Sequence, residues 1–126
     1  MKKKNGKFNG QVQIKLLREK GIDKSAQLLA PFSYRDKYGK LWVARKGEKI
    51  NGASIPKLFW SIIGSPLTGD YREASVIHDV YCERKSRPHK RVHQVFTEML
   101  EDLGVPFMKR VAISKAVKWF GPRWKS

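Results

Sequence analysis

The stretch Tyr71-Arg-Glu-Ala-Ser-Val-Ile-His-Asp-Val-Tyr-Cys82 decides how the rest of the chain is read. Ala74, Ile77 and Tyr81 recur at three- and four-residue steps, the period of a helix with one face turned to a core. Asp70 stands before it as a cap, and Glu73 is the capping-box partner three residues on. The helix is expected to run to about Arg84. His78 and Cys82 lie one turn apart on one face, Cys82 in the buried stripe and His78 on its edge. Asp79 is rotated by about 100° from His78 and faces a different partner within the same pocket.

The pattern continues toward the C-terminus. Pro88 opens a helix whose apolar face is Val92, Val95, Phe96, Met99 and Leu103, and Gly104 stops it. Another helix runs from Pro106 to Phe120 and ends at Gly121-Pro122. Toward the N-terminus the period changes to two. Gln11-Val-Gln-Ile-Lys-Leu16 alternates polar and apolar, as a half-buried strand does. The apolar segment from Ala26 to Tyr34, the turn Arg35-Asp-Lys-Tyr-Gly39 and Leu41-Trp-Val-Ala44 read as a hairpin. Asn51-Gly-Ala-Ser-Ile-Pro56 reads as a loop, with Ser54 as cap of a short apolar helix over residues 55–63. Strands first and helices later define an α+β class. The expectation is a small antiparallel sheet packed against a bundle of three to four helices, in one domain spanning 1–126, with residues 1–10 a flexible basic N-terminus.

Composition narrows the function classes. The 126 residues include four tryptophans, which fits a folded core rather than disorder. A single cysteine excludes an internal disulfide framework and fits a reducing compartment. The basic start Met1-Lys-Lys-Lys4 is followed by no apolar region, so a cytoplasmic protein without a signal peptide is expected. No apolar run approaches membrane-spanning length. The net charge of +16 favours a polyanion as partner: nucleic acid, anionic lipid or an acidic host protein. The densest basic run lies between the two central helices, and it makes Arg84, Lys85, Arg87, Lys90 and Arg91 the candidate polyanion contacts. A solvated loop is the plainer reading of the same run.

Of the three histidines and one cysteine, all four fall between His78 and His93. If the two central helices pack antiparallel across the Lys85–Pro88 turn, His78 and His93 approach each other. A histidine beside a carboxylate serves as a general base or as a metal ligand. The plainer alternatives are a partly buried histidine satisfied by a backbone carbonyl, and Cys82 as a small core residue. Trp60, Trp119 and Trp124 read as packing aromatics, and His89 in its basic run reads as exposed.

The combination of Asn51-Gly-Ala-Ser-Ile-Pro56, Phe59-Trp60, His78-Asp79 and Tyr81 resembles an uncharacterised domain family common in phages and prophages. Val92-His93 with Phe96, and the ending Phe120-Gly-Pro-Arg-Trp124, resemble one of its subgroups. The resemblance covers roughly Ala26 to Trp124 and implies a phage or prophage origin. More distantly, a glycine loop followed by a helix with His-Asp and a tyrosine is similar to the bacterial type of secreted phospholipase A2. That similarity implies His78 as the catalytic base, His93 in the position that orients it, Asp79 as a metal ligand, and Asn51 and Gly52 in the metal loop.

Asn51 and His93 stand where the lipase pattern has aspartates. Losing a carboxylate from the loop disfavours calcium. A set of His78, Asp79 and His93, with Cys82 as a further ligand, suits zinc instead, so the implied cofactor is a divalent metal, zinc or calcium. Three functions follow: a hydrolase of ester or phosphodiester bonds centred on His78, a non-catalytic basic phage accessory protein binding nucleic acid or a host protein, and a structural virion component.

Overall fold

A computed structural model describes residues 5–17, 25–50 and 71–124. Among the described residues six strands come first: β1 (Lys7–Asn9), β2 (Ile14–Leu17), β3 (Ser25–Leu28), β4 (Phe32–Arg35), β5 (Leu41–Ala44) and β6 (Lys49–Ile50). Three helices follow among the described residues: α1 (Arg72–Arg84), α2 (His89–Asp102) and α3 (Phe107–Phe120). The class is α+β, as the pattern of periods predicts. Asn51 to Pro56, the short apolar helix, Phe59, Trp60 and the Asp70 cap lie outside the described residues.

The strands form two three-stranded antiparallel sheets, in the orders β1-β4-β5 and β2-β3-β6, rather than one. The extended segment from Ala26 to Tyr34 contributes to both. The Leu29 N–H still bonds the Gln13 carbonyl at 2.8 Å, one step beyond the Ile14–Leu28 pair, and Pro31 then has no N–H to offer a ladder. The chain therefore leaves one sheet after Leu28 and enters the other at Phe32. The predicted hairpin is β4–β5, with Phe32 opposite Ala44 and Arg35 opposite Leu41.

Asp36 organises the hairpin turn. Its Oδ1 accepts the Tyr38 and Lys40 backbone N–H groups, and its Oδ2 accepts the Trp42 indole N–H at 2.9 Å. Arg91 of α2 donates to the same Oδ2 at 3.0 Å, which fastens the turn to the helical half.

The N-terminus is engaged from residue 5 onward, where a flexible segment is expected. Phe8 of β1 stacks on Phe32 and packs on Tyr34, and β1 pairs along β4. Asp102, the last residue of α2, accepts the Asn5 and Gly6 N–H groups and the Tyr34 hydroxyl. A lysine-rich composition hides this, because one phenylalanine, the pairing with β4 and two hydrogen bonds to one carboxylate hold the segment.

α1 is the central element. All nine residues from Ala74 to Cys82 are buried, so no face of the middle of this helix meets water. α2 covers one side and the sheets the other. Tyr81 sets its ring edge against Trp42 and accepts the Val43 N–H on its hydroxyl at 2.9 Å. Lys85 closes α1 in the left-handed conformation (φ 55°) and sends the chain back into α2. Gly104 (φ 75°) ends the next turn in the conformation only glycine adopts without strain.

Candidate metal centre and basic groove

The α1–α2 hairpin brings the two predicted histidines together. His78 Nε2 lies 2.8 Å from His93 Nδ1. Cys82, one turn beyond His78, places Sγ 3.6 Å from Nε2 and 3.9 Å from Nδ1 of the same ring. One ligand atom from each of His78, Cys82 and His93 lies within 4.8 Å of the others. The helix spacing of four supplies the first pair and the antiparallel return of the chain supplies the third.

His93 is oriented from outside. Its Nε2 lies 2.8 Å from the Pro122 carbonyl, an acceptor only, so Nε2 carries the proton. Nδ1 of the neutral ring is then a lone pair directed at His78, and His78 Nε2–H donates to it. The Pro122 carbonyl is where it is because the chain turns sharply after α3. A Cβ on Gly121 would stand 2.4 Å from the Val117 carbonyl oxygen, so only glycine permits that turn.

Burial sets the protonation states. His78 is 1% exposed, inside the apolar packing of α1 rather than on its edge, and stacks on Phe96 at 4.4 Å. Burial, and then the neighbouring His93, hold its pKa well below the usual histidine value. His93 is shifted down as well: desolvation outweighs the hydrogen bond to Pro122, and His89 and Arg123 add to it. Both rings are thus neutral near pH 7. Burial, then the charges of Asp79 and Glu83, push the Cys82 thiol up, so it stays protonated unless a cation binds it.

The arrangement fits a borderline-soft ion. In a tetrahedral zinc site the N···S separation is about 3.6 Å and the N···N separation about 3.3 Å. The cysteine is already at that distance from His78 Nε2. The histidines must part by about half an ångström as the shared proton leaves. The Pro122 carbonyl on His93 Nε2 is the type of second contact that fixes the tautomer of a histidine ligand. Asp79, expected as a ligand, is buried beside the cluster but is not one of its three members. Asn51 and Gly52 lie outside the described residues.

His93 also lines an open groove of about 930 Å³ between α2 and α3. Lys90, Lys115, Lys118, Arg123 and Trp119 line it too, and none of its lining residues is acidic. From Leu103 to Ser126 the sequence carries Lys109, Arg110, Lys115, Lys118, Arg123 and Lys125 without one Asp or Glu. That asymmetry is the signal that locates the groove, and most of it lies beyond the basic run between α1 and α2. Within that run three of the five expected polyanion contacts are engaged internally. Arg84 pairs with Glu48 and donates to the Val43 carbonyl. Arg87 donates to the Leu41 carbonyl and lies over the Trp42 ring. Arg91 joins Asp36 and Glu98. Lys85 and Lys90 are exposed.

His89 is half-buried rather than exposed: its Nδ1 lies 2.8 Å from the Trp124 carbonyl oxygen, and its ring packs edge-on to the Trp124 indole. Trp124 packs as expected against His93 and donates its indole N–H to the Arg87 carbonyl. Trp119 does not pack inward and is 57% exposed, and Trp60 lies outside the described residues.

The two sheets, the buried α1 and the His-Cys-His cluster define an α+β protein with a candidate metal centre at the heart of a helical hairpin. The chain belongs to the family described as "Protein of unknown function (DUF1353)", whose model matches residues 26–117. It is 45% identical over 98 residues to the uncharacterized protein y4jT of Sinorhizobium fredii, covering 78% of this chain and 29% of that protein. It is 43% identical over 103 residues to the uncharacterized protein y4iH of the same organism, covering 81% of this chain and 43% of that one. The chain therefore spans less than half the length of either relative. No solved structure matches it. Among the described residues, no helix is long and apolar enough to cross a membrane.

Proposed function

We propose that this chain is a metal-binding domain, single over its length, that hydrolyses ester or phosphodiester bonds in an anionic substrate. The observation that carries the reading is the convergence of His78, Cys82 and His93, one ligand atom each, within 4.8 Å. His78, Cys82 and His93 would hold the ion, which would supply Lewis acidity to a bound substrate. His93 belongs both to the cluster and to the groove wall, so a substrate lying in the groove reaches the ligand set from that side. The groove cations would neutralise the substrate charge. Hydrolysis adds water across the bond: its oxygen joins the carbonyl carbon or phosphorus, the ester bond breaks, and the leaving oxygen departs with a proton.

The closure of His78 argues for the metal route over the lipase-like one, in which His78 itself would have to touch water. Zinc suits the sulfur and two nitrogens better than calcium does. The phage or prophage origin and the cytoplasmic location belong to this proposal through the sequence pattern, as does the phospholipase-like ancestry of the His78-Asp79 helix. A second reading, a non-catalytic basic accessory protein, draws on the same burial of His78.

The test uses a chromogenic phosphodiester and a chromogenic carboxylic ester. The account expects turnover of at least one that stops with a chelator, returns with zinc, and is abolished in His78→Ala. Circular dichroism of the variant checks the fold. Turnover indifferent to both chelator and His78→Ala would leave the hydrolase reading without a site.

A further inference from the structure

We infer that the groove between α2 and α3 binds single-stranded nucleic acid, its cations following the phosphate backbone and the Trp119 indole stacking a base. The inference deepens the proposed hydrolysis by naming a substrate class for the same groove.

Cations line the groove from three sides. Lys90 comes from α2, Lys115 and Lys118 from α3, and Arg123 from the segment after it. All four are exposed. No carboxylate lines the groove to compete for them. Arg91 lines the groove as well, but its charge is paired with Asp36 and Glu98, as that of Arg84 is with Glu48. Arg123 donates to the Lys118 and Trp119 carbonyls, which orient its guanidinium without neutralising it. Lys115 and Lys118 stand three residues apart on one helix, with Cβ atoms about 5–6 Å apart, so both can reach the backbone of one strand.

Trp119 decides between strand types. It is an exposed indole on a cationic wall, with Lys115 Nζ 5.7 Å from the ring centroid. An indole face of this kind recognises an unstacked base, which a single strand offers and a duplex does not. An anionic bilayer also attracts cations and tryptophan. Its surface cannot enter a concave groove, however, and here the cations line the concavity.

The experiment is fluorescence anisotropy of a labelled oligothymidylate with the full chain, in chelator and at low salt. Binding should weaken with salt at a log–log slope of about −3, since four cations each contribute about −0.7 on single strands. The paired substitutions Lys115→Glu and Lys118→Glu should weaken binding by at least about tenfold. Trp119→Ala should weaken it about five-fold or more, in line with the loss of one stacked base. Lys40→Glu with Lys46→Glu, an equal charge change at exposed sites on the sheet side, should cost far less. An equal loss from the sheet-side pair would overturn the inference in favour of a nonspecific effect of net charge. So would equal affinity for a duplex, tighter binding to phosphatidylglycerol vesicles, or no binding at low salt. Because binding is read without metal, an oligonucleotide that binds but is not cleaved when zinc is added, with no turnover of either chromogenic substrate, removes the hydrolase reading alone. Turnover of small esters without oligonucleotide binding removes this inference alone.

Discussion

His78 and His93, fifteen residues apart in sequence, share one hydrogen bond of 2.8 Å in the interior of a helical hairpin. The bond joins α1 to α2, and the Pro122 carbonyl extends the line to the segment after α3. Three successive pieces of the chain are thus tied by one row of polar atoms. In an apolar interior such a row stabilises only when every member is satisfied.

Truncating one end of that row leaves the buried His78 donor unpaired. His93→Ala should therefore destabilise the metal-free protein by about 1–3 kcal/mol beyond the packing lost. His93→Gln, which keeps an acceptor, should cost less. Urea unfolding of both variants in chelator gives the comparison, and equal losses would mean the bond contributes nothing.

Acid should weaken the fold in two stages. The folded pKa of His78 lies below its unfolded value of about 6.5, and His93 shifts the same way. Below about pH 6.5 the unfolded chain binds protons that the folded chain refuses, so stability falls as pH drops, by up to about 1.4 kcal/mol per pH unit for each such group. Asp36 acts lower. Burial raises its pKa, but the hydrogen bonds from Trp42, Lys40, Arg91 and Tyr38 outweigh this and the net shift is down. Its contribution is present above about pH 3.9 and is lost as pH falls through the lower folded value. Unfolding midpoints that stay level from neutral pH to about 5 would contradict the histidine part.

Asp36→Ala removes the acceptor of the Trp42 indole, two turn N–H groups and Arg91 at once. A loss of about 3 kcal/mol is expected, because the arginine and indole are left without this partner. Asp36→Asn should recover part of it. Thermal or urea denaturation reads both.

Asp102 fastens the N-terminus. Asp102→Ala should release Asn5, Gly6 and the Tyr34 hydroxyl and cost about 2 kcal/mol. Hydrogen exchange should rise first at residues 5–9, with the core of α1 still protected. Unchanged protection in β1 would show that Phe8 and the pairing with β4 hold the strand without Asp102.

Much of this architecture is legible in the sequence, for identifiable reasons. The β4–β5 hairpin follows from a turn whose Asp36 does what turn aspartates do. The helix ending at Arg84 and the helices after Pro88 and Pro106 follow from apolar period and proline punctuation. The meeting of His78 and His93 follows from the short Lys85–Pro88 connection, which forces an antiparallel return. What stays hidden depends on contacts remote in sequence. The split into two sheets turns on β3 and β4 taking different partners, β2 and β6 for one, β1 and β5 for the other, on either side of Pro31. The full burial of α1 arises from covering on opposite sides, whereas a helical wheel assumes a single covered face. The role of the Pro122 carbonyl carries no sequence signal beyond Gly121.

The central claim is tested most directly by cobalt(II) titration of the full chain, read in the visible and near-ultraviolet. The account predicts one ion per chain, the strong visible bands of a tetrahedral site, and a thiolate-to-metal charge-transfer band. That last band should disappear in Cys82→Ser, while His93→Ala should weaken binding. A chain that gives no cobalt spectrum, or one indifferent to Cys82→Ser, would contradict the assignment of His78, Cys82 and His93 as a metal centre.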